Sequence, residues 1–131
     1  MQIHAHRFLP GQDLYEELKA LVPSHSLRAG AILTCVGSLT TACLRMAGQS
    51  ATRTLQGPFE IVSLVGTLCP DGIHVHVALS GAGGHCTGGH LLPGCEIYTT
   101  AEVVVAELAG VAFTRGYDPK TKYKELEVSR S

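Results

Sequence analysis

Aromatic residues are scarce in this 131-residue chain: they make up 5% of it, and tryptophan is absent. Basic runs are missing too. No stretch of Lys or Arg exceeds two residues, and the formal net charge is −1. Affinity for a nucleic-acid backbone comes from neutralising phosphates, so a free-standing binder carries a basic patch that is not visible here. The five cysteines, at positions 35, 43, 69, 86 and 95, are odd in number and include no Cys-x-x-Cys pair. That argues against a disulfide framework and against a zinc ribbon. They read as free thiols in a reducing compartment. No segment offers the ~18 continuous apolar residues of a membrane span. The opening Met-Gln-Ile-His-Ala-His-Arg lacks the apolar centre of a signal peptide. The expectation is a cytoplasmic protein with no membrane partner.

What is present is an ordinary globular balance, 45% hydrophobic and 16% charged, with 15 glycines. The length suits one domain spanning residues 1–131, with a core over about residues 3–118 and a short polar tail. Residues 2–9 alternate loosely as a first strand, broken by Pro10-Gly11. Asp13 and Glu16 then have the spacing of a capping box. Leu14, Leu18, Leu21 and Val22 follow at helical spacing, and Pro23 is expected to stop the helix. From Gly30 the signals turn to β. Strands are expected over 31–36, 39–46 and 59–68, with a bend at Gly37-Ser38 and a Pro-Asp-Gly turn at 70–72. Residues 100–108 contain three consecutive valines and read as strand rather than helix. Residues 122–128 are expected to form a final edge strand. The sum is an α+β domain: a mostly antiparallel sheet of about seven strands, covered by the N-terminal helix.

Residues 73–80 give the clearest strand. Ile73, Val75, Val77 and Leu79 share one face, and His74, His76, Ala78 and Ser80 share the other. Two histidines on one face of a strand can converge on one ion, and neutral imidazole is a common metal ligand. His90 is the candidate third ligand, and hairpin register tests it. A three-residue loop after Ser80 sets His90 opposite His74; a five-residue loop sets it opposite His76. A two- or four-residue loop turns it to the wrong face, unless Gly88-Gly89 forms a bulge. Zinc suits such a set, as do other divalent first-row metals. Glu102 and Glu60 are candidates to orient a ligating histidine. His4 and His6 form a second His-x-His, read as surface or edge residues. His25 and His85 read as loop residues. The glycine-rich stretch at 81–88 lacks the phosphate-loop lysine, and no Gly-x-Ser-x-Gly elbow accompanies Ser80.

These residues resemble a family. Gly57-Pro-Phe-Glu-Ile-Val62, Ser63-Leu-Val-Gly66, His74-Val-His76-Val-Ala-Leu-Ser80, Gly88-Gly-His-Leu91 and Thr100-Ala-Glu-Val-Val104 occur in the order found in the PPC domain, also called DUF296. Pro10-Gly-Gln-Asp-Leu14 and Arg28-Ala-Gly-Ala-Ile-Leu33 fit as well. The resemblance runs from about residue 3 to 118. It implies a compact α+β domain, usually a homotrimer, and a zinc-binding set at His74, His76 and His90. Plant members join the domain to AT-hooks that bind A·T-rich minor grooves. This chain has no Arg-Gly-Arg-Pro hook core, and Pro58 stands where plant members usually have Arg. It resembles the stand-alone branch, for which nucleic acid is not an expected partner of the isolated domain.

Two functional readings follow. One is a non-enzymatic, metal-binding trimer that acts through protein contacts. The other is a metal-dependent hydrolase or lyase on a small molecule, with Glu102 or Glu60 as general base. DNA binding through the trimer surface is a weaker third.

Overall fold

The computed structural model describes residues 1–130. Among them one α-helix is joined to eight strands. β1 is Gln2–Phe8, α1 Leu14–Ser24, β2 Gly30–Arg45, β3 Thr52–Cys69 and β4 Gly72–Ser80. β5 is Cys86–Leu91, β6 Ile97–Glu107, β7 Val111–Asp118 and β8 Tyr123–Arg130. The α+β class holds, with the strands divided between two sheets. Six strands run in the order β1-β6-β2-β3-β4-β5, and β7 and β8 pair separately. All the pairings are antiparallel.

β2 organises the large sheet. The strands expected over 31–36 and 39–46 are one continuous element. Gly37 does not break the strand; register shifts follow it on both sides, between Gly37 and Leu39 against β6 and between Leu39 and Thr41 against β3. A Cβ at Gly37 would lie 2.1 Å from the Thr100 carbonyl oxygen, so only glycine lets β6 approach here. The first half of β2 pairs with β6, and its end, through Leu44 and Arg45, pairs with Leu91 and His90 of β5. Strands β2, β3, β4 and β5 thereby close a circuit. Leu44, Leu64, Val77, Leu79 and Leu91 are buried within the core.

Asp13 caps α1, accepting from the backbone N–H groups of Tyr15 and Glu16 at 2.9 and 3.4 Å. Leu14, Leu18, Leu21 and Val22 are buried beneath the helix, each burial contributing about 2 kcal/mol. The helix runs one residue past Pro23. Proline removes one N–H, and in the last turn that loss is small, since His25 N–H still reaches the Leu21 carbonyl.

The C-terminal segment is more structured than a polar tail. β7 and β8 form a hairpin held to the body by Phe113, which packs with Ala29 and Cys69. The Phe113 N–H donates to Arg28 O, the Arg115 N–H to Asp71 Oδ2, and Arg115 Nη2 to Thr67 Oγ1. These bonds fix β7 against β3, and the start of β8, Tyr123 to Glu125, borders a cleft shared with His74 and His90.

A candidate metal centre

Alternation along β4 sorts its side chains as expected: Val75, Val77 and Leu79 are buried, while His74 and His76 face outward. The loop joining β4 to β5 has five residues, because Ser80 pairs with Cys86. Of the two odd lengths, this is the one that sets His90 directly opposite His76. Gly88 and Gly89 stay in register without a bulge. Their role is steric. A Cβ at Gly88 would lie 2.3 Å from Val77 O, and one at Gly89 would lie 2.8 Å from Arg45 O. β5 is squeezed between β4 and β2, and only the paired glycines let it fit.

The three imidazoles form a compact triangle. Their ring centroids are 4.9, 5.1 and 5.6 Å apart. One nitrogen from each lies within 4.8 Å of the others. Zinc at about 2.0–2.1 Å from each nitrogen needs them ~3.3 Å apart, which small rotations of the rings supply. His90 is pushed down to about 4 by burial first, then by Arg45 and by the two other histidines. His74 is also lowered, by burial first, then by His76 and Arg115. Both therefore stay neutral at pH 7 and keep a lone pair for a cation. The donor set fits a divalent first-row metal.

The triangle opens onto two adjoining clefts. One, of about 620 Å³, lies between the Met46–Ser50 stretch, Gly88-Gly89 and Tyr123. The other, of about 280 Å³, adds Asp71, Arg115, Lys124 and Glu125. Arg45, His74 and His90 border both. A groove of similar size between α1 and the β3–β4 turn is largely apolar and contains no histidine, so it plays no part in this chemistry.

Glu60 and Glu102 do not join the cluster. Glu60 lies opposite Ser80, at the far end of β4 from His74. Glu102 lies on β6, opposite Arg7 of β1 and Val36 of β2, on strands that carry none of the three histidines. Two carboxylates border the smaller cleft: Asp71, which accepts from the Arg115 N–H, and Glu125, whose charge acts on His74. Local sequence carries no signal for Glu125, because the β7–β8 hairpin brings it there from more than 30 residues away. His85 sits in the β4–β5 loop, as expected. His4 and His6 lie on edge strand β1 and His25 in the turn after α1, as expected, but the three are drawn together. His6 Nε2 and His25 Nε2 are 2.8 Å apart, and His4 Nε2 is 2.9 Å from Glu107 Oε2.

Comparison with known proteins agrees with this architecture. The model of the Plants and Prokaryotes Conserved (PCC) domain matches residues 1–109. The bifunctional protein GlmU of Synechococcus sp. strain JA-3-3Ab is 46% identical over 130 residues, covering 99% of this chain and 21% of that protein. The chain thus spans about a fifth of the length of the curated relatives it matches. A hypothetical protein from Salmonella cholerae-suis has a solved structure that superposes with a TM-score of 0.96 at 45% identity, covering 98% of this chain and 94% of that one. A metal-containing protein from Archaeoglobus fulgidus superposes with a TM-score of 0.82 at 27% identity, covering 95% and 92%. The family match stops before β7, whereas the likeness to the Salmonella protein takes in nearly the whole chain. No helix among the described residues is long and apolar enough to cross a membrane.

Proposed function

The chain belongs to the Plants and Prokaryotes Conserved domain family, and from that premise we propose that it is a zinc-binding homotrimeric domain acting through protein contacts. The observation that carries the metal is the convergence of His74, His76 and His90 within 4.8 Å. The likeness to a metal-containing protein supports it. His74, His76 and His90 would hold the ion, and burial, seconded by Arg45, keeps His90 unprotonated at neutral pH.

The apolar outer face supports self-association. Leu33, Val36, Val62 and Val65 are each more than half exposed. The register of β2 on β3, from Gly30 opposite Leu68 to Gly37 opposite Ile61, sets Leu33 level with Val65 and Val36 level with Val62. Val65 in turn pairs with His76, and His76 with His90. A row of apolar side chains thus runs into the histidine triangle across one outer face. A monomer gains nothing by leaving it wet, and a subunit packed on that row would lie beside the metal site.

The clefts beside the triangle favour a second reading, a metal-dependent hydrolase or lyase on a small molecule. Lewis acidity is what the ion supplies when bound. Glu125 is the carboxylate available as a base, and Arg45 and Arg115 offer positive charge to an anionic substrate. The DNA-binding alternative has no comparable feature behind it.

Elemental analysis of untagged protein, after gel filtration in metal-free buffer, tests the metal. The wild-type chain is expected to carry one zinc per subunit and the His74→Ala/His76→Ala/His90→Ala variant none. Zinc retained by that variant, or absent from zinc-supplied wild type, overturns the site. Light scattering should report three times the 13.8 kDa of one chain; a monomer at micromolar concentration overturns the trimer.

A further inference from the structure

A second group of histidines lies at the opposite side of the large sheet. His4 and His6 are two apart on β1, an edge strand, and pair with Val105 and Val103 of β6. Both partners are buried, so the two imidazoles lean towards the side that α1 covers. His25, the C-cap residue of α1, meets them there. Its ring stacks on that of His4 at 3.9 Å and lies 5.0 Å from that of His6. Glu107, the last residue of β6, closes the group by bonding His4. All four residues are partly buried.

Two features point to a cation. First, His6 Nε2 and His25 Nε2 face each other at 2.8 Å. Such a pair needs one N–H and one lone pair, so two protonated rings cannot form it. The two nitrogens share a single hydrogen between them. Second, α1 has no basic residue in its last turn. The partial negative charge at that helix end is left without a side-chain cation, and it lies beside His25. Glu107 adds a full negative charge on the same side. Burial, then the neighbouring His4 and His6, hold His25 below the ordinary histidine value, with Glu107 pulling the other way. That keeps a lone pair on its ring.

We propose that His6 and His25 are the protein ligands of a second site for a divalent transition-metal cation, with Glu107, held by His4, packed behind them as its counter-charge. The donor ring carries its hydrogen on Nδ1 instead, and the cation takes the place between the two Nε2 atoms. The two nitrogens open from 2.8 Å to the ~3.3 Å that bonds of about 2.0–2.1 Å require, and water fills the remaining positions. Imidazole donors select borderline cations such as Zn(II), Co(II) or Ni(II) over Mg(II) and Ca(II), which demand oxygen. Two protein ligands make a weaker site than three. Its consequence is structural: an ion joining His6 to His25 clamps edge strand β1 to the end of α1.

Calorimetric titration of the full chain with Co(II) at pH 7.5 tests this independently of the His74 triangle, on the His74→Ala/His76→Ala/His90→Ala background. The expected result is one remaining equivalent in the micromolar range, no response to Mg(II), and loss of binding when His6→Ala or His25→Ala is added. Absence of residual Co(II) binding, or binding insensitive to both substitutions, overturns the proposal. Should the background variant fold poorly, the same pair of substitutions in the wild-type chain is expected to lower saturating Co(II) by one equivalent; an unchanged stoichiometry overturns it equally.

Discussion

The molecule uses the same short pattern twice, and the two copies end differently. On β4, His74 and His76 meet His90 from the next strand, and three nitrogens converge within 4.8 Å. On β1, His4 and His6 meet His25 from a helix end, and the residues couple in twos, His6 with His25 and His4 with Glu107. Spacing puts each pair on one face of its strand. What the pair converges on is decided by its neighbour. A hairpin partner arrives at a set register and a set Cβ separation. A helix cap arrives at whatever height the helix packs, and in this fold it reaches one ring nitrogen of the pair. The three-fold set faces open clefts, with Arg45 and Arg115 beside it. The two-fold set sits partly buried next to a carboxylate.

The sharpest way to break the comparison is at Gly88. Gly88→Ala puts a Cβ against the Val77 carbonyl, where nothing flexible can move aside. Displacing β5 should cost about 3 kcal/mol in chemical denaturation. It should also disperse the triangle, removing zinc by elemental analysis while Co(II) binding at His6 and His25 persists.

Acid separates the clusters less drastically. His90 takes up its proton near pH 4 in the folded state and near 6.5 when unfolded. The unfolded chain therefore binds the proton first. Stability of the metal-free protein should fall as pH drops from about 6.5 towards 4. Thermal melts across that window should show the fall flattened by His90→Ala. His25 is shifted in the same direction, so His25→Ala should flatten it too, to a lesser extent. A fall unaffected by His90→Ala would mean that other groups carry it.

The smallest effect expected is that of Glu107→Gln. The His4–Glu107 contact is partly exposed and should contribute only about 0.5 kcal/mol, so a melting shift of a few degrees is the most it should produce. Zinc content at the His74 triangle should not change. A loss there would show the two clusters to be coupled.

Much of this was legible in advance because it depends on local chemistry. The α+β class followed from one capped, helically spaced segment and many β-branched runs. The inward face of β4 followed from alternation alone, and the family motifs carried the histidine triangle. The parity of the β4–β5 hairpin limited His90 to two positions, although loop length remained open between three and five residues. Continuity of β2 was not legible, since Gly37 signals a bend whether or not the strand survives it. Nor was the β7–β8 hairpin's attachment, which rests on Phe113 reaching Ala29 and Cys69.

Sequence by itself thus determined which side chains share a face and which residues are soft enough to ligate. Tertiary structure alone decided their company. Glu60 and Glu102 were set aside because β-pairing carried them to other parts of the sheet. Glu125 and Arg115 were brought in by a hairpin whose first strand docks on β3. His25 reached His6 because α1 ends where it does. Periodicity acts over a few residues and is written in the chain; contacts across many residues depend on packing, which no short window contains.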